Sequence, residues 1–571
     1  MKNFLKNKFT TRTMILITLL ASINFPYTFA NECNSGQSAE SSSNINYNLL
    51  SKNSDLFNIK DFGAAGNGKT DDTDAVQKAI KSAGKNGGIV FFPAGTYLIK
   101  SSLIPESNII LMGVGNKSLL QYSYPPHSQT KNVIYGWHFT NQKNVTFMNL
   151  AMDGGAKNFN NDPVDADGAH HLIYFNPTKD FNVENITITN CSFSGSFDSA
   201  IQSYGRAAHP YPHPLTKTVK IDKCQFFDVG SHGVGMNEWY NSSVTNCSFS
   251  NMGKRKMIKG FGSGMAVDVS AGSQNIVVSG NVVENSAAGF KAETHESKNG
   301  DVASENVIFA NNIISNCKSG PEFDVWYGIR VNGKNVTIRG NIIESYVHGI
   351  LVAPKAGSAV IEGNQILGTH HKHAVGIRID NSYGNHIING NQIENTAAQG
   401  IVVSGNSVMV TNNRVSNSGL DGIRIGDVNG VICTQNIFMN NNGQGISAAP
   451  IAAETNNVLI ANNLSFDNRS GTKRTQQRGI FVSPQNSKNV KVAENLSYNN
   501  SVAQAIVPNL SATESHSESK PTKMNNSPTS GSWQKGDVVY NSAPKVGGFV
   551  GWVCIESGSP GKWKSFGLIV P

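Results

Sequence analysis

The sequence predicts an all-β protein whose main domain is a right-handed parallel β-helix, with an N-terminal capping helix and a small C-terminal β-module. Three observations predict this fold class. An apolar phrase bounded by asparagines recurs along the chain, a Gly-Ile phrase follows it, and both return at the spacing of a solenoid turn.

The first phrase is an alternating apolar strand with an asparagine at each end. Clear copies begin at Asn185, Asn275, Asn335, Asn385, Asn457 and Asn489. Because apolar and polar residues alternate and β-branched residues are frequent, the phrase predicts strands and argues against helical repeats. Asparagine tolerates left-handed backbone geometry, and its amide can bond to the same residue one coil away. We therefore expect asparagine ladders at the corners of the coil.

The second phrase supplies the repeat length. Its copies begin at Gly328, Gly349, Gly376, Gly400, Gly422 and Gly479. Successive glycines are commonly about 22 to 27 residues apart, which suits a solenoid turn built from several short strands. The sequence therefore predicts a β-helix over residues 57–508.

The cysteines predict packing and not cross-linking. The chain has seven cysteines, too few for a disulfide scaffold in 571 residues. Four of them recur in similar surroundings, at Cys191, Cys224, Cys247 and Cys317. A position that repeats from coil to coil predicts an inward column of buried thiols.

The N-terminus predicts export. In residues 1–30, basic residues precede an apolar run at 14–25 and small residues before a cleavage site after Ala30. The run is shorter than the roughly 20 residues of a spanning helix, so we expect a secreted protein, extracellular or periplasmic, with no membrane span. Residues 31–56 form an N-terminal extension. Cleavage lowers the net charge of +8 to about +4, which argues against a nucleic-acid partner.

A signature near residues 57–98 identifies the fold more closely. It contains Asp61-Phe62-Gly63, Gly66-Asn67-Gly68, Asp71-Asp72-Thr73 and Phe92-Pro93-Ala94-Gly95-Thr96-Tyr97. This string resembles the opening of the pectate-lyase-like superfamily, which includes rhamnogalacturonases, polygalacturonase relatives, epimerase-like proteins and phage tailspikes. The resemblance implies a right-handed parallel β-helix. Asp72 or Thr73 is expected to cap the helix that follows and closes the end of the solenoid.

Strand register predicts where a groove lies. Apolar residues at alternate positions of a Gly-Ile strand fill the coil, and the residues between them point outward. Counting from each glycine places Lys291, Arg330 and Arg378 in one outward column. A second column contains Asn237, Asp268, Glu293, Asn332 and Asp380. A solvated polar face is the alternative interpretation of any single residue, but the charges crowd between about Ala200 and Asp380.

The charged residues predict chemistry on an acidic polysaccharide. A β-elimination lyase must neutralise a uronate carboxylate, remove the C5 proton and assist the leaving oxygen. The candidate catalytic residues are Asp268, Glu293, Lys291, Arg330 and His295. The candidate substrate-binding residues are Asn237, Glu238, Trp239, Tyr240, Trp326, Tyr327, Asn332, Arg378 and Asp380, in which the aromatic rings are expected to stack on sugars.

Two other functions remain open at this stage. Asp268 and Glu293 can also serve a glycoside hydrolase of the polygalacturonase or rhamnogalacturonase type. A non-catalytic, adhesin-like solenoid is the third class. The motifs of polygalacturonase-like hydrolases and of alginate epimerases do not carry over, so no family catalytic residue is transferred.

No cofactor is assigned with certainty. Calcium could bind Asp268, Glu293 or Asp380, as it does in some relatives, but the spacing of a dedicated calcium loop is missing from the sequence.

The C-terminus predicts a separate module. Residues 509–528 are polar and predict a linker. Residues 529–571 combine short strands, tight turns and three tryptophans, which predicts a small β-module whose tryptophans form its core in preference to a sugar site. The oligomeric state, monomer or trimer, stays open.

Overall fold

The computed structural model describes residues 55–123, 135–155, 170–177, 181–203, 216–253, 264–295, 302–317, 327–344, 348–368, 373–380, 384–450, 452–507 and 523–570. The expected signal peptide, nearly all of the extension, most of the expected linker and Trp326 lie outside the described residues. Among the described residues, no helix combines the length and apolar character that a membrane crossing requires.

The predicted parallel β-helix is confirmed. In the described part of the chain, strands assemble into three parallel sheets of sixteen, sixteen and fourteen strands, which we number sheet 1, sheet 2 and sheet 3. The chain divides into two compact units, residues 1–409 and 410–571.

In the first unit, the chain alternates between sheet 1 and sheet 2 up to Ser118–Tyr122, and from Trp137 onward its coils contribute to all three sheets. Its sheet 1 strands are Leu56–Asn58, Gly88–Phe91, Ile109–Met112, Lys143–Met148, Val183–Thr189, Thr216–Asp222, Trp239–Thr245, Gln274–Ser279, Glu305–Ala310, Lys334–Arg339, Ala359–Glu362 and His386–Asn389, and Val408–Thr411 spans the boundary. Its sheet 2 strands are Asn67–Asp71, Gly95–Ile99, Ser118–Tyr122, Ala151–Asp153, Ser192–Ser194, Gln225–Phe227, Ser248–Ser250, Val282–Glu284, Ile313–Ser315, Ile342–Glu344, Gln365–Leu367 and Gln392–Glu394.

Sheet 3 of the first unit carries the candidate site. Its strands are Trp137–Phe139, Ile173–Phe175, Ile201–Ser203, Val234–Asn237, Met265–Ser270, Ala288–Ala292, Tyr327–Val331, His348–Val352, Val375–Asp380 and Ile401–Ser404. A short antiparallel hairpin, Thr294–His295 with Val302–Ala303, follows the sixth of these strands.

The second unit contains the remaining coils and the module. Its coil strands are Asn429–Thr434, Thr455–Ala461 and Ser487–Ala493 in sheet 1, Arg414–Ser416, Ile437–Met439, Leu464–Phe466 and Leu496–Tyr498 in sheet 2, and Ile423–Ile425, Gln444–Ala448, Arg478–Val482 and Ala503–Ile506 in sheet 3. The module is a four-stranded sheet of Lys523–Met524, Val538–Asn541, Phe549–Glu556 and Lys562–Leu568.

The core of the first unit lies inside the coil. Side chains at alternate strand positions point inward and stack on the equivalent residue of the next turn. Phe193, Phe226 and Phe249 stack in this way, with ring centroids 4.9 and 4.7 Å apart. Each fully buried apolar side chain contributes about 1.5 to 3 kcal/mol relative to an exposed one.

Asparagine ladders form at two positions of the coil. The exposed ladder includes Asn275, Asn306 and Asn335, with positive φ angles of 58, 55 and 52°. The buried ladder contains Asn281, Asn312, Asn341, Asn364 and Asn391, in which each Nδ2 donates to the Oδ1 of the next asparagine at 2.9 to 3.0 Å. Each Oδ1 also accepts the backbone N–H one turn earlier. The predicted ladders are therefore present.

The thiol column is shorter than the sequence predicts. Cys191, Cys224 and Cys247 occupy one repeated position and are buried free thiols. The backbone N–H of Cys247 bonds to Asn281 Oδ1 at 2.9 Å, so the buried asparagine ladder continues the same column. Cys317 is also buried but lies at a different corner, after Ile313–Ser315. An asparagine before the cysteine is therefore not enough to place it in the column; its position within the coil decides this.

The N-terminal helix, α1, spans Thr73–Gly84 and buries Val76, Ala79 and Ile80 against the first strands. Asp72 occupies the N-cap position without a side-chain cap bond. Its carboxylate instead accepts the backbone N–H groups of Ala65 and Gly66, at 2.6 and 3.1 Å. The expected capping bond is thus replaced by two bonds that hold the preceding loop.

The C-terminal module has a very small buried core. Its sheet begins at Lys523, inside the segment expected to be a linker. Among its apolar side chains, Val539 and Cys554 are buried. Trp533 and Trp563 meet edge to face, with centroids 5.1 Å apart, and both stay half-buried.

Candidate functional site

One outward column of sheet 3 runs straight through the first unit. Strand pairing aligns His138, Tyr174, Gln202, Gly235, Asp268, Lys291, Arg330, Leu351 and Arg378 in successive rungs. The neighbouring apolar side chains, such as Ile329 and Val331, are fully buried in the coil. The alternation of the strands therefore holds the column on the outer face, as the sequence predicts.

Asp268 lies in a different column from the predicted one. The prediction counted outward positions in this strand from Gly264. Met265 pairs with Ala288 and Val267 with Phe290, so Ala266 and not Gly264 lies opposite Gly289, the glycine that begins the next strand's count. Asp268 consequently pairs with Lys291, and Ser270 takes the place beside Asn237. The prediction was shifted by two residues because alanine also fits the inward position. This shift places a carboxylate directly against Lys291.

Four charged side chains converge on adjacent rungs. Lys291 Nζ lies 3.4 Å from Asp268 Oδ2 and 3.3 Å from Glu293 Oε2. Arg330 Nη1 donates to Glu293 Oε2 at 3.2 Å. The side chains of Lys291, Asp268 and Glu293 are 14%, 13% and 18% exposed, and that of Arg330 is 28% exposed. The structure therefore assembles these four predicted catalytic residues into one charged cluster.

Neutral groups complete the hydrogen bonding of the two carboxylates. Ser270 Oγ donates to Asp268 Oδ1 at 2.6 Å, and Asn332 Nδ2 donates to Glu293 Oε1 at 3.1 Å. Asn332 was predicted in this position, whereas Ser270 was not.

The electrostatics keep Lys291 and Asp268 charged. Burial disfavours the charged form of both groups, but the favourable interactions with neighbouring charges together outweigh this cost. The pKa of Lys291 is raised because burial is outweighed by Asp268 and Glu293. The pKa of Asp268 is lowered because burial is outweighed by Lys291, His232 and the Ser270 hydroxyl. Both groups therefore carry full charge at neutral pH.

His232 is a member of the cluster that sequence reasoning did not assign. Its Nε2 lies 3.6 Å from Asp268 Oδ2, and its side chain is 13% exposed. Burial lowers its pKa, although Asp268 works in the opposite direction. Its Nδ1 is buried and has no hydrogen-bond partner among the described residues. His232 thus presents a neutral imidazole beside a charged carboxylate.

Tyr327 is buried and does not present an open ring. It packs against Met265, Ala288 and Leu351, and its hydroxyl lies 3.5 Å from Met265 Sδ. Burial raises the pKa of this phenol, with Lys291 opposing. The expected stacking role is not supported, since the ring is 1% exposed.

Three predicted binding residues lie away from the cluster. Trp239 is fully buried, and its Nε1 donates to Ser203 Oγ at 2.8 Å, so it belongs to the core. Tyr240 lies on sheet 1. Glu238 lies in the turn before that strand with a φ of 59°. The expectation failed because the chain leaves sheet 3 at Asn237.

The outer predicted residues form their own contacts. The amide of Asn237 donates to Ser203 O at 2.9 Å. Arg378 Nε donates to Asp380 Oδ1 at 2.7 Å within one strand, and the rung of Leu351 separates this pair from Arg330. His295 is exposed on the hairpin, opposite Val302. None of these contacts joins the charged cluster in the described part of the chain.

The geometry does not favour calcium at the predicted carboxylates. The Lys291 ammonium occupies the position between Asp268 and Glu293, and Arg378 pairs with Asp380. Within the described ranges, His, Cys, Asp and Glu side chains form no group of three that could hold a metal ion.

Sequence reasoning also missed an aromatic group at the N-terminal end of the column. Tyr135 stacks on Tyr174 with centroids 4.0 Å apart and planes 10° apart. The ring of His171 lies parallel to that of Tyr135, and the centroids of the His138 and Tyr135 rings are 5.1 Å apart. Extending the outward register past Ala200 would have found His138 and Tyr174, because Trp137, Phe139, Ile173 and Phe175 mark the inward positions.

Two segments of the chain match models of known protein families. Residues 56–291 match the family model described as "Rhamnogalacturonase A/epimerase, pectate lyase-like". Residues 303–413 and 375–547 match the model of the right-handed beta helix region.

Two curated relatives and one solved structure are also similar to parts of the chain. The pre-neck appendage protein of Bacillus phage B103 is 22% identical over 245 residues, which are 42% of this chain and 27% of that protein. Alginate lyase 7 of Azotobacter vinelandii is 48% identical over 67 residues, 10% of this chain and 8% of that protein. The chain thus spans 27% or less of either relative. An N-terminal fragment of bacteriophage phi29 gene product 12 has a TM-score of 0.50 at 14% identity, covering 78% of this chain and 72% of its own. That likeness shows the fold.

Proposed function

We propose that this chain, whose residues 56–291 match a pectate-lyase-like family model and whose residues 303–547 match a right-handed β-helix model, is an exported enzyme cleaving an acidic, uronate-containing polysaccharide by β-elimination. The observation that carries this proposal is the cluster of Asp268, Lys291, Glu293 and Arg330 on the outer face of sheet 3. The match to Alginate lyase 7, by its name a lyase of a uronate polysaccharide, supports the proposal over 10% of the chain.

The two cations suit binding of a uronate carboxylate. The guanidinium group of Arg330 has five N–H donors, and its bond to Glu293 engages Nη1. Its side chain is the most exposed of the four. Lys291 stays protonated, so its role is electrostatic stabilisation of the charge that develops when the C5 proton leaves.

His232 is the proposed proton acceptor in place of His295. It reaches the cluster, and its lowered pKa keeps the imidazole neutral at pH 7. The C5 proton passes to the imidazole, the C–H electron pair forms the C4–C5 double bond, and the bond from C4 to the glycosidic oxygen breaks. The leaving oxygen takes a proton from solvent or from a protonated side chain.

The same electrostatics argue against hydrolysis. A glycoside hydrolase needs one carboxylic acid that stays protonated to donate to the leaving oxygen. The pKa of Asp268 is lowered, and Lys291 lies between the two carboxylates. The surroundings of Asp268 therefore favour its ionised form and not the protonated acid that a hydrolase needs.

A panel of uronate polysaccharides tests the proposal. The purified protein is incubated with polygalacturonate, alginate and glycosaminoglycans, while the absorbance of unsaturated uronates and the reducing ends are followed in parallel. A rise in both signals is the expected result. Reducing ends alone would establish a hydrolase, and binding without either signal would establish a non-catalytic glycan-binding protein.

Matched lysine variants assign the site. Lys291→Met should lower the rate of unsaturated-uronate formation at least about 100-fold, because a charge stabilising the transition state is lost. Lys143 is the control, since it lies 3.4 Å from Glu184 on sheet 1 but is 51% exposed. Lys143→Met should keep full activity. Equal activity of both variants would remove Lys291 from the site.

A further inference from the structure

The aromatic group at the start of the outward column lies on the same face as the charged cluster. His138, Tyr174 and Gln202 occupy successive rungs, followed by Gly235 and then Asp268. Rungs of a parallel sheet are about 4.8 Å apart, so Tyr174 and Asp268 are separated by roughly 14 Å. A ligand that reaches both must be an extended chain running along the column.

The rings are arranged as a flat platform. Tyr174 is 5% exposed and is covered by Tyr135, whose ring is parallel to within 10° and remains half-buried. His171 is parallel to both tyrosines and is held by Ser199 O, 3.1 Å from its Nδ1. The platform is therefore fixed from below, which lowers the entropic cost of stacking a ligand on it.

Unpartnered polar atoms connect the platform with the cluster. His138 Nε2, Gln202 Oε1, His232 Nδ1 and Asn332 Oδ1 are buried and lack hydrogen-bond partners among the described residues. Gln202 leans across the next rung, where a Cβ added to Gly235 would meet its Oε1 at 1.8 Å. Buried polar atoms without partners are costly, and a ligand rich in hydroxyl groups can satisfy them.

We propose that Tyr135, His138, His171 and Tyr174 form a sugar-stacking subsite that binds the polysaccharide three rungs away from the charged cluster. This inference rests on the proposed function, because it uses the same outer face of sheet 3 and the same class of ligand. A binding face that includes both the platform and the cluster binds long polysaccharide chains more tightly than short ones. A short oligosaccharide at the cluster cannot reach the platform, whereas a longer one contacts both.

Oligouronates of increasing length test the subsite. Dissociation constants are measured by calorimetry for oligomers of polygalacturonate and of alginate, with the wild type and Tyr135→Ala. The variant should bind long oligomers roughly 3- to 10-fold more weakly and the shortest oligomers equally well. Tyr135→Trp should bind long oligomers like the wild type.

Controls separate stacking from folding. Tyr240→Ala removes a half-buried tyrosine of sheet 1 and should bind every oligomer like the wild type. If Tyr135→Ala disturbs the circular dichroism spectrum, His138→Ala replaces it, with the same length dependence expected. Weakening that is equal at all lengths, or no weakening, would overturn the subsite.

Binding also distinguishes this inference from the proposed reaction. Length-dependent binding without unsaturated uronates would retain the subsite and refute the lyase. Unsaturated uronates with unaltered binding by Tyr135→Ala would retain the lyase and refute the subsite. No binding of either oligomer series by the wild type would refute the subsite.

Discussion

The ammonium of Lys291 lies 3.4 Å from the carboxylate of Asp268, directly across one rung of sheet 3. Both side chains are largely buried, at 14% and 13% exposure. Such a pair costs much desolvation, so removing one partner is more damaging than removing a surface ion pair. It is also the contact that links the stability of the coil to the candidate chemistry.

Lys291→Ala should destabilise the protein. The substitution leaves Asp268 and Glu293 buried without their shared cation, and the free energy of unfolding should fall by about 3 kcal/mol. Urea denaturation followed by circular dichroism measures it. Lys143→Ala breaks an exposed pair with the same N–O distance and should cost about 0.5 kcal/mol or less. Equal losses would show that burial does not strengthen the Lys291 contacts.

Asp268→Asn should flatten the acid limb of the stability curve. The folded pKa of Asp268 is lowered by Lys291, His232 and Ser270, which together outweigh burial. The stability that this group contributes is therefore fully present above its unfolded pKa of about 3.9 and is lost as pH falls through the folded pKa. Unfolding free energies at pH 5 and pH 3 should differ less in the variant than in the wild type. A larger difference in the variant would contradict the lowered pKa.

His386 should contribute a separate loss of stability in mild acid. Burial lowers the pKa of this imidazole to about 4, and its Nδ1 accepts the backbone N–H of Ala359 at 3.2 Å. Stability is fully present above the unfolded pKa of about 6.5 and falls as pH approaches the folded value. The loss amounts to roughly 3 kcal/mol.

His386→Asn tests this directly. The substitution keeps an acceptor for Ala359 but removes the titration, so the slope of unfolding free energy between pH 6.5 and 4 should decrease. An unchanged slope would show that His386 does not titrate in this range.

Asn341→Ala should break the buried ladder. Asn341 Nδ2 donates to Asn364 Oδ1 and Phe309 O, and its Oδ1 accepts from the backbone and side chain of Asn312. The substitution leaves several buried groups unpaired, so we expect a loss of about 3 kcal/mol in the free energy of unfolding.

The exposed ladder provides the control for that variant. Asn306 donates to Asn275 Oδ1 at 3.0 Å and has a φ of 55°. Asn306→Gly preserves the left-handed backbone and exposes the freed partner to water, so the loss should stay below about 1 kcal/mol. A comparable loss in both variants would mean that burial of the ladder adds nothing.

The coil itself could be read from the sequence because its determinants are local and repeated. Period-two alternation, the Gly-Ile phrase and the asparagine corners each specify the same element in turn after turn, so one misread copy does little harm. The outward placement of Lys291, Glu293, Arg330 and Asn332 followed from the same alternation. Each of them lies where the register predicted.

The site could not be predicted in the same way. Alternation within one strand shows which side chains point outward, but it does not show which residue of the next strand lies opposite each of them. Ala266 in place of glycine shifted Asp268 by two positions, and this brought it against Lys291. The turn after Asn237 buried Trp239 and moved Tyr240 to sheet 1, while His232 came within 3.6 Å of Asp268. The sequence by itself determined the coil and its outward face, since these arise from local periodicity. Only the tertiary structure decided the charged cluster and the aromatic platform, because register between strands and burial are set by packing across turns some 30 residues apart in the chain.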